Sequence, residues 1–136
     1  MAGLRKRQHP HMSTVAKIVV GYDGSEGARR ALDRAASLCG YGSLLTVVSV
    51  ARSRSEVERT GRLLLEASDR LLLLHTLARL DERVGEPTDE LVAAARENDA
   101  DLLVVGNGKT RIERALHGSV SSSLIHRAPC DVLVAR

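Results

Sequence analysis

The chain has 136 residues, enough for one domain with a core of its own. Hydrophobic residues make up 43 %, which excludes a disordered chain. The aromatic complement is two Tyr with no Phe or Trp, which excludes the stacking platforms of single-strand nucleic-acid binders. Of the 20 bases, Arg5, Lys6 and Arg7 lie in an N-terminal stretch without acids. The other 17 face 17 acids, so the net charge of +3 belongs to that stretch and does not mark a nucleic-acid-binding face.

Residues 1–13 (MAGLRKRQHPHMS) read as a basic extension, disordered or left by a cloning vector at the His-Met junction, ahead of a domain over 14–136. The extension has no apolar core of a secretory signal, and no apolar run approaches the roughly 18 residues of a membrane span. A cytoplasmic protein with no membrane partner is therefore expected. Cys39 and Cys130 match no zinc or CxxC spacing and are expected as buried free thiols. His75, His117 and His126 share no ligand spacing, so no metal site is expected.

Ala16 to Gly21 (AKIVVG) is a short β-branched run of the kind buried on both faces of a parallel sheet. Tyr22-Asp23-Gly24-Ser25 is a turn, with Ser25 placed to cap a helix. Ala28, Ala31, Leu32, Ala35 and Leu38 follow at helical spacing, and Gly40 and Gly42 stop the pattern. Leu44 to Val50 is a second buried strand. A polar connection, Arg52 to Glu58, leads to a helical pattern carried by Leu63, Leu64, Ala67, Leu71, Leu74 and Ala78. Leu77 to Val84 alternates charged and apolar residues, as an edge strand does. Thr88 is placed to cap a helix that buries Leu91, Ala94 and Ala95. Asp101 to Gly106 is the clearest buried strand. A glycine-marked loop then runs to Gly118, a helix starts near Ser119 and ends before Ala128-Pro129, and Asp131 to Ala135 is the last strand.

Strands alternating with helices predict one α/β domain: a doubly wound, five-stranded, mostly parallel sheet with helices on both faces. Ligands of such sheets bind beyond the carboxyl ends of the strands, at the topological switch point. That places Asp23, Val50 and Gly106 about one crevice. Glycines let a backbone approach an anion, and a helix N-terminus offers free N–H groups to it. Gly106-Asn107-Gly108, then Gly118-Ser119 nine residues on, therefore reads either as a polyphosphate cradle or as a tight turn with Ser119 as a cap. Lys109 and Arg111 in the loop either screen phosphate charge or are solvated loop charges. Gly108-Lys109-Thr110 is not a P-loop, because Leu103 stands where that motif needs glycine. Asp23 suits ribose hydroxyls or an adenine amine better than phosphate, and it can also serve the helix cap.

KIVVGYDGSEGARRAL resembles the opening strand, turn and helix of the universal stress protein family, and the chain from Asp99 to Arg136 resembles its carboxyl-terminal third. Nucleotide-binding members carry glycine, two residues, glycine, nine residues, glycine, then serine or threonine. Here the nine-residue spacing and Gly118-Ser119 are kept, but Asn107 alone separates Gly106 from Gly108. The resemblance implies a stress-response regulatory protein that binds ATP, with or without Mg2+. Asp23 and Val50 would line adenine and ribose; Val105, Gly106, Gly108, Gly118, Ser119 and Val120 would surround ribose and phosphates. It also implies a homodimer paired through residues 131–136. No nucleophile–base pair is visible, so at most slow ATP hydrolysis is expected. Two alternatives stand beside this: a nucleotide-independent dimeric interaction module of the same fold, suggested by the short loop, and an ATP pyrophosphatase, whose Ser-Gly-Gly-x-Asp-Ser loop is replaced here by Gly21-Tyr22-Asp23-Gly24-Ser25.

Overall fold

The five apolar runs become five strands in a computed structural model that describes residues 16–107 and 120–136. In chain order the elements are β1 (Lys17–Gly21), α1 (Glu26–Leu38), β2 (Leu44–Ala51), a 3-10 turn (Arg54–Glu56), α2 (Val57–Leu73), β3 (Arg79–Val84), α3 (Pro87–Glu97), β4 (Leu102–Gly106), α4 (Val120–Arg127) and β5 (Asp131–Ala135). The sheet order is β3-β2-β1-β4-β5, and every pairing is parallel.

The strands alternate strictly between two cores. Ile18, Val20, Leu45, Val47 and Val104 meet Ala28, Ala31, Leu32, Leu64, Ala67 and Leu71 of α1 and α2. Val19, Val48, Leu103 and Val105 meet Leu91, Val92, Ala94 and Leu124 of α3 and α4 on the other face. The chain steps from β1 outward to β3 with its helices on one face, then crosses to β4 and steps to β5 with its helices on the other. Reversing direction under right-handed crossovers forces that change of face. Without aromatic bulk, the alanines of α1 let that helix lie close on the sheet: Ala31 and Ala35 are fully buried.

Several boundaries differ from the sequence reading. α2 starts at Val57 and stops at Leu73, so Leu74 and Ala78 lie beyond it. His75 takes a left-handed conformation (φ 58°), and the Thr76 N–H reaches the Leu71 carbonyl at 2.9 Å, closing the helix without a glycine. β3 is shorter than 77–84, and it is an outer strand as expected. The cap of α3 is Glu86, whose carboxylate accepts from the Asp89 N–H at 2.9 Å; Pro87 takes the first helical position and Thr88 is buried within the first turn. Cys39 and Cys130 are both free but half-buried rather than buried, and desolvation pushes both thiols up in pKa. The basic extension at 1–13 lies outside the described residues. Among the described residues no helix is long and apolar enough to cross a membrane.

Candidate functional site

The switch point falls between β1 and β4, whose carboxyl ends part toward opposite neighbours. Beyond β1 the Tyr22 N–H still reaches the Val48 carbonyl at 2.8 Å, so the strand line continues into the turn. Asp23 follows, exposed at the rim, and its Oδ1 accepts from the Ser25 N–H at 3.0 Å. Ser25 caps α1 as its residue type predicts, its Oγ accepting from the Ala28 N–H at 3.1 Å. Asp23 thus supports the turn and remains open to solvent.

Gly106 closes the other side. A Cβ there would lie 2.5 Å from the carbonyl carbon of Gly27 and 2.7 Å from its oxygen. At Gly27 a Cβ would come within 3.2 Å of Asn107 Oδ1. The two glycines let the end of β4 touch the first turn of α1, so the N–H groups of that turn lie beside the strand exit. Close helix–strand packing is therefore sufficient reason for glycine at 106. Val105 is 5 % exposed and packs in the core under α3, with half-buried Val50 beside that core at the end of β2. Of these two, Val50 is the side chain nearer solvent. Val120 opens α4. Gly108, Gly118 and Ser119, with Lys109 and Arg111, lie outside the described residues.

Sequence reasoning passed over Tyr22, Arg29 and Glu66. The Tyr22 hydroxyl donates to Glu66 Oε1, and Arg29 Nη1 donates to the Gly24 carbonyl at 2.7 Å. Burial, then the Glu66 carboxylate, push the Tyr22 phenol up to about 12. A polar residue next to a candidate ligand residue was the available signal. Among the described residues no group of three or more His, Cys, Asp or Glu could hold a metal ion.

A cleft of about 230 Å³ opens at the opposite, amino end of the sheet, lined by Lys17, Thr46, Arg79, Glu97 and Asp99 among others. It faces the carbonyl end of α3, whose partial negative charge does not favour an anion. The exposed Asp23 and the N-terminus of α1 lie at the other end of the sheet.

Matched against known families, residues 14–136 fit the model described as the universal stress protein family. A universal stress protein of Mycobacterium tuberculosis is 37 % identical over 142 residues, covering 90 % of this chain and 97 % of that one. A universal stress protein solved in complex with cAMP is 33 % identical, with a TM-score of 0.77 over 90 % of this chain and 98 % of that chain. One from Archaeoglobus fulgidus, solved in complex with dAMP, is 25 % identical, with a TM-score of 0.73 over 90 % and 99 %.

Proposed function

The chain belongs to the universal stress protein family, and from that premise we propose that it is a cytoplasmic regulatory protein of the stress response that binds ATP in the crevice between β1 and β4. The carrying observation is that two relatives of the same fold, 33 % and 25 % identical, were solved with cAMP and dAMP. Both ligands share adenine, a ribose-type sugar and phosphate with ATP.

The residues divide by chemistry. Asp23, exposed and acceptor-rich, fits ribose hydroxyls or the adenine amine and not a phosphate. Val50 gives the adenine an apolar flank. The backbones of Val105 and Gly106 border the sugar. Gly108, Gly118, Ser119 and Val120 would surround the sugar and the phosphates, as the family resemblance implies. Mg2+ travels on the phosphates rather than on a carboxylate cluster. β5 is an outer strand whose Val132, Leu133 and Val134 are half-buried, and pairing with a second copy through residues 131–136 covers that edge.

Thermal unfolding with and without MgATP, cAMP and GTP tests this. Ligand at a hundred times its Kd adds about 2.7 kcal/mol, or about 10 °C for a domain of this size. A rise with ATP and little with GTP is expected. No rise at millimolar nucleotide contradicts the proposal and favours the nucleotide-independent interaction module, for which the single residue between Gly106 and Gly108 speaks.

A further inference from the structure

The turn that carries Asp23 is held from α2 as well as from its own helix. Tyr22 is 3 % exposed, with its ring in the core under α1 and α2. A phenol buried this deeply needs a partner for its hydroxyl. Glu66 of α2 supplies it, accepting at Oε1, and Arg29 of α1 interacts with the same phenol. Arg29 also donates to the Gly24 carbonyl at 2.7 Å. Both neighbours of Asp23 are therefore held by side chains from outside the turn. Gly24 has φ 83°, and a Cβ on it would lie 2.8 Å from Leu63 Cδ2, so α2 presses directly on the turn.

α2 is itself registered against α1. Arg70 makes a two-pronged ion pair with Asp33, Nε to Oδ1 at 2.8 Å and Nη2 to Oδ2 at 2.7 Å. Along the seam α1 offers Arg29 then Asp33, and α2 offers Glu66 then Arg70. A slip of one turn would break the Asp33–Arg70 pair. The register that makes that pair also brings Glu66 to Tyr22.

We propose that Tyr22, Glu66 and Arg29 form a clamp through which α2 positions Asp23, making Tyr22 a positioning residue for nucleotide binding. The inference rests on the crevice being the nucleotide site. A tyrosine phenol is protonated, and so a donor, across physiological pH, and burial pushes its pKa further up.

The experiment compares the wild type with Tyr22→Phe, Glu66→Ala, Glu66→Gln and the double variant Tyr22→Phe/Glu66→Ala. MgATP affinity is measured by calorimetry, and amide exchange over residues 22–29 is measured without nucleotide. Tyr22→Phe keeps the ring, so the core is kept. Tyr22→Phe and Glu66→Ala should each weaken ATP binding about tenfold, the scale of one hydrogen bond to a charged group. The double variant should be no weaker than either single. Glu66→Gln, which keeps an acceptor for the phenol, should stay within about threefold of wild type. Exchange at Gly24 and Ser25 should quicken about tenfold while Leu32 and Ala35 in the body of α1 stay protected. Wild-type affinity in both singles, additive losses in the double, or exchange that quickens evenly along α1 would each overturn the clamp. Failure of the wild type to bind ATP would sink the nucleotide reading alone, and the exchange comparison would still decide whether α2 holds the turn.

Discussion

The two ends of this sheet differ in what they offer a ligand. The amino end has a cleft, bordered by Lys17, Arg79, Glu97 and Asp99, but its basic and acidic side chains offset one another and α3 points its carbonyl end there. The carboxyl end is where α1 begins, where Gly106 and Gly27 bring backbone to backbone, and where Asp23 stands exposed. In a parallel sheet every crossover helix starts at the carboxyl end, so the positive helix termini collect there whatever the shape of the surface.

The sharpest way to break the carboxyl end is Gly106→Val. Its Cβ would stand 2.5 Å from the Gly27 backbone, so α1 must lift from the sheet. A cost of about 3 kcal/mol is expected, a fall in Tm of about 10 °C. A wild-type Tm would show that the close approach is dispensable.

Asp23→Ala separates ligand binding from stability. The variant should lose about tenfold in ATP affinity while stability in urea falls by less than about 1 kcal/mol. If its affinity matches the wild type, Asp23 serves only the Ser25 turn.

The smallest effect concerns the tie between the outer strand β3 and α3. Arg83 of β3 bonds Glu97 at 3.0 Å, Asp81 at 2.9 Å and Glu90 at 2.9 Å, and so ties both the first and the last turn of α3 to the outer strand. Its guanidinium holds the Glu97 carboxyl below the ordinary value of 4.5. A lowered carboxyl pKa stabilises the fold above the ordinary value, and the contribution is lost as pH falls through the lowered one. Arg83→Met should therefore flatten the acid side of the stability profile measured in urea. An acid limb as steep as the wild type's would remove Arg83 from that role.

Much of this architecture was legible because local and global preferences agree. KIVVG, LLTVVSVA and LLVVG can only be buried strands in a chain of alternating helices, and Ser25 caps α1 as its residue type predicts. The end of α2 was not legible, because His75 and not a glycine takes the left-handed position; Asp99 does the same after α3, at φ 51°. Asp23 could be placed from the end of its strand. The contact of Gly106 with Gly27, and that of Tyr22 with Glu66, joins residues far apart in the chain, and no spacing rule reports such a meeting. Gly108, Gly118 and Ser119 rest on spacing and family resemblance alone.

The most direct measurement is a titration of isotopically labelled protein with MgATP, followed residue by residue through backbone amide NMR shifts. The largest shifts are expected at Asp23, Val50, Gly106 and the start of α4, with Lys17, Thr46, Arg79 and Asp99 unmoved. Shifts concentrated around the amino-end cleft, with Asp23 and Gly106 silent, would contradict it.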